Sequence, residues 1–273
     1  MHYSINTMTS NQLYAQIRAK ESFLCVGLDP DLEKIPDCLQ DEKYPLFVFC
    51  REIVDATAPE AVCFKPNTAF FECYGSWGWQ QLEMTVGYIK EHYPEVFVIA
   101  DAKRGDIGNT AGRYAKAFFE NMPCDAVTLS PYMGRDAVAP FLAYEGKWAV
   151  VLGLTSNASA ADFELEGDLY KSVISKAMDW GTADNLMFVA GATRPEMLGG
   201  IRDICPDHFL LVPGVGAQGG SVADVARYGR NSRCGLLVNS SRGIIYASRK
   251  EDFADAAALA AAELKAQMKE WLG

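Results

Sequence analysis

Histidine is scarce in this chain: His2, His92 and His208 are the only three in 273 residues, and they are scattered. That argues against a histidine-based nucleophile triad and against a His-rich metal site. None of the eight cysteines (Cys25, Cys38, Cys50, Cys63, Cys73, Cys124, Cys205, Cys234) forms a Cys-x-x-Cys pair. Cys25 and Cys63 sit inside apolar runs, so buried reduced thiols are expected, and neither a zinc site nor a disulfide framework. No apolar run approaches the ~20 residues of a membrane span. The longest runs are strand-sized, as in Phe209-Leu210-Leu211-Val212. The first residues, Met1-His2-Tyr3-Ser4-Ile5-Asn6, lack the charged and apolar blocks of a signal peptide, so the expected location is the cytoplasm. Positive charge is in deficit, with 25 Lys and Arg against 35 Asp and Glu and a formal net charge of −10. Such a field suits neither nucleic acid nor an anionic membrane, although an anion can still be held locally. No linker rich in Pro, Gly or Ser divides the chain, and no repeat or low-complexity tract appears beyond an alanine-rich last helix. One domain over residues 1–273 is expected.

What is present is alternation. Strand-like runs occur at Phe23–Gly27, Ala61–Lys65, Val96–Asp101, Ala126–Ser130, Ala149–Leu154, Leu186–Ala190, Phe209–Pro213 and Gly235–Asn239. Helical patterns separate them, near Pro45–Thr57, Trp77–His92, Thr110–Asn121, Ala137–Tyr144, Leu169–Trp180, Arg194–Ile204 and Val222–Tyr228. A short helix around Gln12–Lys20 precedes the first strand, and a last one covers Asp252–Trp271. Eight β/α units in this length predict an α/β fold of the (β/α)8 TIM barrel type, with an open doubly wound sheet as the alternative.

The strand ends carry the chemistry. They read Asp29-Pro30, Lys65-Pro66-Asn67, Asp101-Ala102-Lys103, Ser130-Pro131, Thr155-Ser156-Asn157, Gly191, Pro213-Gly214 and Asn239-Ser240-Ser241-Arg242. Polar and charged groups gather there while the strand bodies are apolar, which predicts one active face at the carboxyl ends. The densest stretch is Asp101-Ala102-Lys103-Arg104-Gly105-Asp106. Asp101 and Lys103 share parity with Phe97 and Ile99, so both should project to one face. A lysine held between Asp101 and Asp106 would stay protonated, a fixed positive charge and proton donor. A surface salt-bridge cluster is the plainer reading of the same residues. Lys65 shares parity with Cys63 and should point into the barrel mouth, near Asp101.

Pro213-Gly214-Val215-Gly216-Ala217-Gln218-Gly219-Gly220 matches Gly-x-Gly-x-x-Gly. A dinucleotide site would need an acidic residue about 20 positions on, and Cys234 to Ile245 contain none. A phosphate site built by the loops after strands seven and eight fits better, with glycine-turn N–H groups and the Arg242 fork as its donors. Asp29 could accept from ribose hydroxyls or cap the following turn. Thr155-Ser156-Asn157 could meet a polar heterocycle edge or form an ordinary loop cap.

The run Asp101-x-Lys103-Arg104-x-Asp106-Ile107-x-x-Thr110 closely resembles the pattern of the orotidine 5′-phosphate decarboxylase family. Gly27-Leu28-Asp29-Pro30, Phe64-Lys65-Pro66-Asn67, Leu154-Thr155-Ser156-Asn157, the glycine loop and Ser241-Arg242-Gly243 look like its other motifs, in the family's order. The loops resemble its longer bacterial branch. The resemblance implies a (β/α)8 homodimer with sites at the subunit interface, no metal and no organic cofactor. It implies that Asp101 faces the substrate carboxylate and Lys103 protonates C6. Asp106 and Thr110 would reach the neighbouring subunit's site, and Lys65 and Asp29 would bind ribose. Ser156, or its neighbour Asn157, would meet the pyrimidine. Gln218 and Arg242, with Gly216 and Gly243, would grip the 5′-phosphate. Because sugar-phosphate decarboxylases and aldolases share the Asp-x-Lys-x-x-Asp core, a metal-dependent sugar-phosphate lyase stays open as a second reading. A catalytically silent phosphate-binding barrel is a third.

Overall fold

The computed structural model describes residues 8–215 and 220–272. Its eight strands are β1 (Leu24–Leu28), β2 (Ala61–Pro66), β3 (Phe97–Arg104), β4 (Ala126–Leu129), β5 (Trp148–Leu154), β6 (Leu186–Ala190), β7 (Leu210–Pro213) and β8 (Leu236–Ser240). Each pairs in parallel with its neighbours, and β1 meets β8 through Leu24↔Val238 and Cys25↔Asn239. That last pairing closes the (β/α)8 barrel and rules out the open sheet. Strands such as Leu186–Ala190 are apolar along their whole length because the barrel interior lies on one side and helices on the other.

The helices are α1 (Ser10–Lys20), α2 (Pro45–Thr57), α3 (Ala69–Glu72), α4 (Gly75–His92), α5 (Gly108–Lys116), α6 (Ala139–Leu142), α7 (Leu169–Met178), α8 (Met197–Ile204), α9 (Val222–Gly229), α10 (Arg242–Ile245) and α11 (Phe253–Lys269). Several depart from the sequence pattern. The helix expected to run to Asn121 changes at Ala117 into one π-type turn. The segment expected as a single helix from Ala137 splits into a 3-10 turn, Arg135–Ala137, and α6, whose second residue is Pro140. The proline's missing N–H and fixed φ favour a fresh helix start there. At four residues each, α3 and α10 were not foreseen, being too short to show a period.

The amino ends of the strands are closed off. Trp148, at the start of β5, packs edge-on against Phe97 and Phe209, with centroids 5.8 and 6.3 Å away. Its indole N–H donates to the carbonyl of Met8 at 2.7 Å, and α1 buries Leu13 and Ile17 nearby in the chain. A capping box between Thr9 and Gln12 starts that helix. Six cysteines are buried and free, as expected; Cys38 and Cys73 are exposed. Among the described residues that end is packed, which leaves the carboxyl ends as the open face of the barrel.

Candidate active site

On the carboxyl face, Asp101 is held from two sides. Lys65 Nζ lies 2.6 Å from its Oδ2, and Lys103 Nζ lies 2.5 Å from its Oδ1. Lys65 arrives as strand alternation predicts, two residues past Cys63, whose Sγ faces Cys25 Sγ at 3.3 Å inside the barrel. Lys103 arrives differently. The strand β3 continues past its expected end, its register with β4 slips between Ala100 and Arg104, and Lys103 adopts φ +46°. Lys103 still reaches the face of Asp101 that the shared parity predicts, but by an irregular stretch of strand, and its ammonium meets the carboxylate there. The expected lysine between two aspartates is, within one chain, an aspartate between two lysines. Asp106 is exposed, and its Oδ1 accepts from the Ile107 N–H at 2.7 Å.

Burial would push the Asp101 carboxyl upward, but the Lys65 and Lys103 ammoniums outweigh it and hold the group well below the usual carboxylate range. Burial would likewise lower Lys65; the charges of Asp101 and then Asp29 prevail and raise it. Both groups are therefore ionised at neutral pH in a nearly dry setting, Lys65 being 5% and Asp101 8% exposed. The Lys103 side chain is 51% exposed and keeps contact with water.

These three residues line one cavity of about 440 Å³ together with Thr128, Thr155, Ser156, Asn157 and Glu164, over an apolar floor of Leu152, Val189 and Leu211. Ser156 and Asn157 both reach it, so the choice between them stays open. The turn that carries them is pinned twice. Glu164 accepts from the Thr155 backbone N–H at 2.6 Å and from the Thr155 hydroxyl at 2.8 Å. From below, Gly191 at the end of β6 lies so close that a Cβ there would meet the Ser156 N and Cα at 2.8 Å. A larger surface cleft, about 540 Å³, lies between Pro36–Cys38 and residues 249–252 and holds none of the strand-end groups.

Asp29 does not cap its turn. Its Oδ2 accepts from the Ser241 hydroxyl at 2.6 Å, tying β1 to the end of β8, and its carbonyl accepts from the Tyr246 hydroxyl at 2.8 Å. Its Oδ1 is buried and has no partner among the described residues. Arg242 and Gly243 are exposed in the first turn of α10. Thr110 is exposed in the first turn of α5. Gly216 and Gln218 lie outside the described residues. Two lining residues, Thr128 and Glu164, were not singled out from sequence. Thr128 left a readable sign, as the one hydroxyl in the apolar run of β4. Glu164 left none, since only the fold of its loop brings it to Thr155.

A sequence model of the family described as orotidine 5′-phosphate decarboxylase / HUMPS matches residues 22–257. The chain belongs to this family. Among its relatives, an orotidine 5′-phosphate decarboxylase of Bacteroides fragilis (strain YCH46) is 54% identical over 270 residues, which cover 97% of this chain and 98% of that protein. One of Flavobacterium johnsoniae is 54% identical over 96% of this chain and 98% of its own. The solved structure of Leishmania donovani OMP decarboxylase is 35% identical, superposes with a TM-score of 0.79, and is matched over 96% of this chain and 99% of its own. The likeness thus spans the whole carboxyl face, and the bacterial relatives agree with the branch that the loops resemble.

Proposed function

We propose that this chain converts orotidine 5′-monophosphate to uridine 5′-monophosphate and CO2 in pyrimidine biosynthesis, as the names of its relatives suggest. The observation that carries the proposal is the Lys65–Asp101–Lys103 cluster at the rim of the cavity. In the reaction the bond from C6 to the carboxylate breaks and its electron pair stays on C6. The resulting orbital lies in the ring plane, so the π system does not spread the charge. An ammonium already fixed beside C6 is what such a carbanion requires. Lys103 supplies that charge and then gives its proton to C6. Its exposed flank lets water restore the proton. The Asp101 carboxylate faces the substrate carboxylate, and their repulsion is relieved as neutral CO2 departs.

The remaining groups bind. The unpartnered Oδ1 of Asp29 suits a ribose hydroxyl, and Lys65 completes the ribose site. Ser156, or its neighbour Asn157, meets the polar edge of the pyrimidine. Arg242 and Gln218, with the backbone at Gly216 and Gly243, hold the 5′-phosphate. Binding energy gained there, away from C6, is available for ordering the site before chemistry. The proposed reaction uses only groups of the chain itself and needs no metal or organic cofactor.

Asp106 and Thr110 do not line the cavity of their own chain. The loops at the carboxyl ends of β3 and β4 also expose large apolar groups, Ile107 at 45%, Met133 at 51% and Tyr132 at 86%. A homodimer that covers this rim and passes Asp106 and Thr110 to the neighbouring cavity accounts for both features. Among the described residues no helix is long and apolar enough to cross a membrane. A pyrimidine-forming enzyme of this kind is assigned to the cytoplasm. The test is loss of orotidylate absorbance with purified protein in excess EDTA. Conversion to uridylate supports the reading. No conversion by folded protein, with magnesium-dependent activity on a pentulose phosphate instead, would replace it with the sugar-phosphate lyase.

A further inference from the structure

We infer that Thr128 is a positioning residue for the Asp101–Lys103 pair, an assignment that rests on the decarboxylase reading above. Thr128 is 1% exposed in β4. Its Oγ1 lies 3.0 Å from the backbone nitrogen of Lys103 and 2.9 Å from Asp101 Oδ1. The direction of both bonds follows from the chemistry of the groups. A backbone amide only donates, so Oγ1 accepts from Lys103. The hydroxyl's single proton then goes to Asp101, an ionised carboxylate that only accepts. The result is a one-way relay, from Lys103 N–H to the Thr128 hydroxyl to Asp101 Oδ1.

The relay sits where the sheet is irregular. The β3–β4 ladder slips between Ala100 and Arg104, and Lys103 holds a left-handed φ of +46° that a side chain with a Cβ adopts only at a cost. At that slip its N–H turns to a side chain, and Thr128 is the partner. An N–H at a partly buried strand end without one would favour another backbone conformation. The same Oδ1 that receives the hydroxyl also receives Lys103 Nζ at 2.5 Å. Thr128 therefore fixes both ends of the lysine, the backbone directly and the ammonium through the carboxylate. Its branched Cβ keeps few rotamers in a strand, which makes it a rigid anchor. The hydroxyl's single proton and one of its two lone pairs are engaged, so it has no proton to give a substrate and acts by placing Lys103.

The experiment compares wild type, Thr128→Val and Thr128→Ser for kcat and KM on orotidylate, uridylate Kd and thermal unfolding. Valine keeps the shape and loses both bonds; serine keeps the hydroxyl. A misplacement of the proton donor of about 1 Å costs about 10²-fold, so Thr128→Val should lose kcat by about that factor. KM and uridylate Kd should stay within about 3-fold, and Thr128→Ser should recover most of kcat, because the hydroxyl orients the catalytic pair and not the bound nucleotide. A kcat unchanged in Thr128→Val overturns the assignment, as does a serine variant no better than valine. So does a loss shared equally with uridylate binding, which would mark a merely structural role. Should Thr128→Val not fold, Thr128→Ala against Thr128→Ser gives the same comparison. A wild type without turnover refutes the decarboxylase reading itself; an active wild type matched by an equally active Thr128→Val refutes only this role.

Discussion

Lys65, on β2, donates to Oδ2 of Asp101, on β3, at 2.6 Å, and the two side chains are only 6% and 9% exposed. Neither charge would be tolerated alone at that depth, so each depends on the other. Asp101 is held below its ordinary value of 3.8, so its contribution to stability is present above that pH and lost as pH falls through its folded value. Lys65 is raised above 10.5, so its contribution is present below that pH and lost as pH rises through its folded value. Breaking a buried pair from one side costs about 3–5 kcal/mol. Asp101→Asn should therefore unfold at lower urea concentration at neutral pH, and the gap to wild type should shrink on acidification below 3.8. A gap that widens in acid would contradict this.

If Lys103 is the proton donor, Lys103→Ala removes it and leaves the other proposed binding groups in place. Turnover should fall at least about 10³-fold, toward the upper range for loss of a general acid. Uridylate binding, followed by calorimetry, should change little. Turnover near wild type would take Lys103 out of the mechanism.

Gly191→Ala puts a methyl group where the Ser156 backbone already is. The neighbour is main chain and cannot swing aside, so the Thr155–Asn157 turn must move. Overpacking of this kind costs about 1–3 kcal/mol of stability, and a displacement of the turn by about 1 Å predicts a loss of up to about 10²-fold in kcat/KM. Wild-type kinetics in this variant would show that the turn does not place the pyrimidine.

If Asp106 serves the neighbouring subunit, Asp106→Ala and Lys103→Ala damage different parts of a shared site. A mixed dimer carries both lesions in one cavity and none in the other. Refolding the two inactive variants together should restore about a quarter of wild-type activity, since half of the dimers are mixed and each has one intact site. No recovery from a confirmed mixed dimer would place Asp106 in its own chain's cavity or outside the site altogether.

Much of this site could be read directly from the residue order. Apolar runs marked the strands, and parity placed Lys65 beside Asp101, because both lie on regular strand. Parity also put Lys103 on the face of Asp101, but the register slip through which it gets there depends on the partner strand and leaves no mark in the local sequence. Thr128 carried a sign that is easy to pass over, one hydroxyl among Ala126, Val127 and Leu129. Glu164 lies in the loop after β5 and becomes part of the site only when that loop folds back onto Thr155. The breaks at Pro140 and Ala117 show the same limit, since one-turn helices are fixed by what they pack on more than by any period.

In the proposed reaction the electron pair left by CO2 stays on C6 and is quenched there by Lys103. Turnover of orotidylate in D2O, with the product uridylate read by proton NMR, tests it most directly. One deuteron at C6 and none at C5 is the expected result. Uridylate labelled at C5, or formed without deuterium at C6, would contradict it.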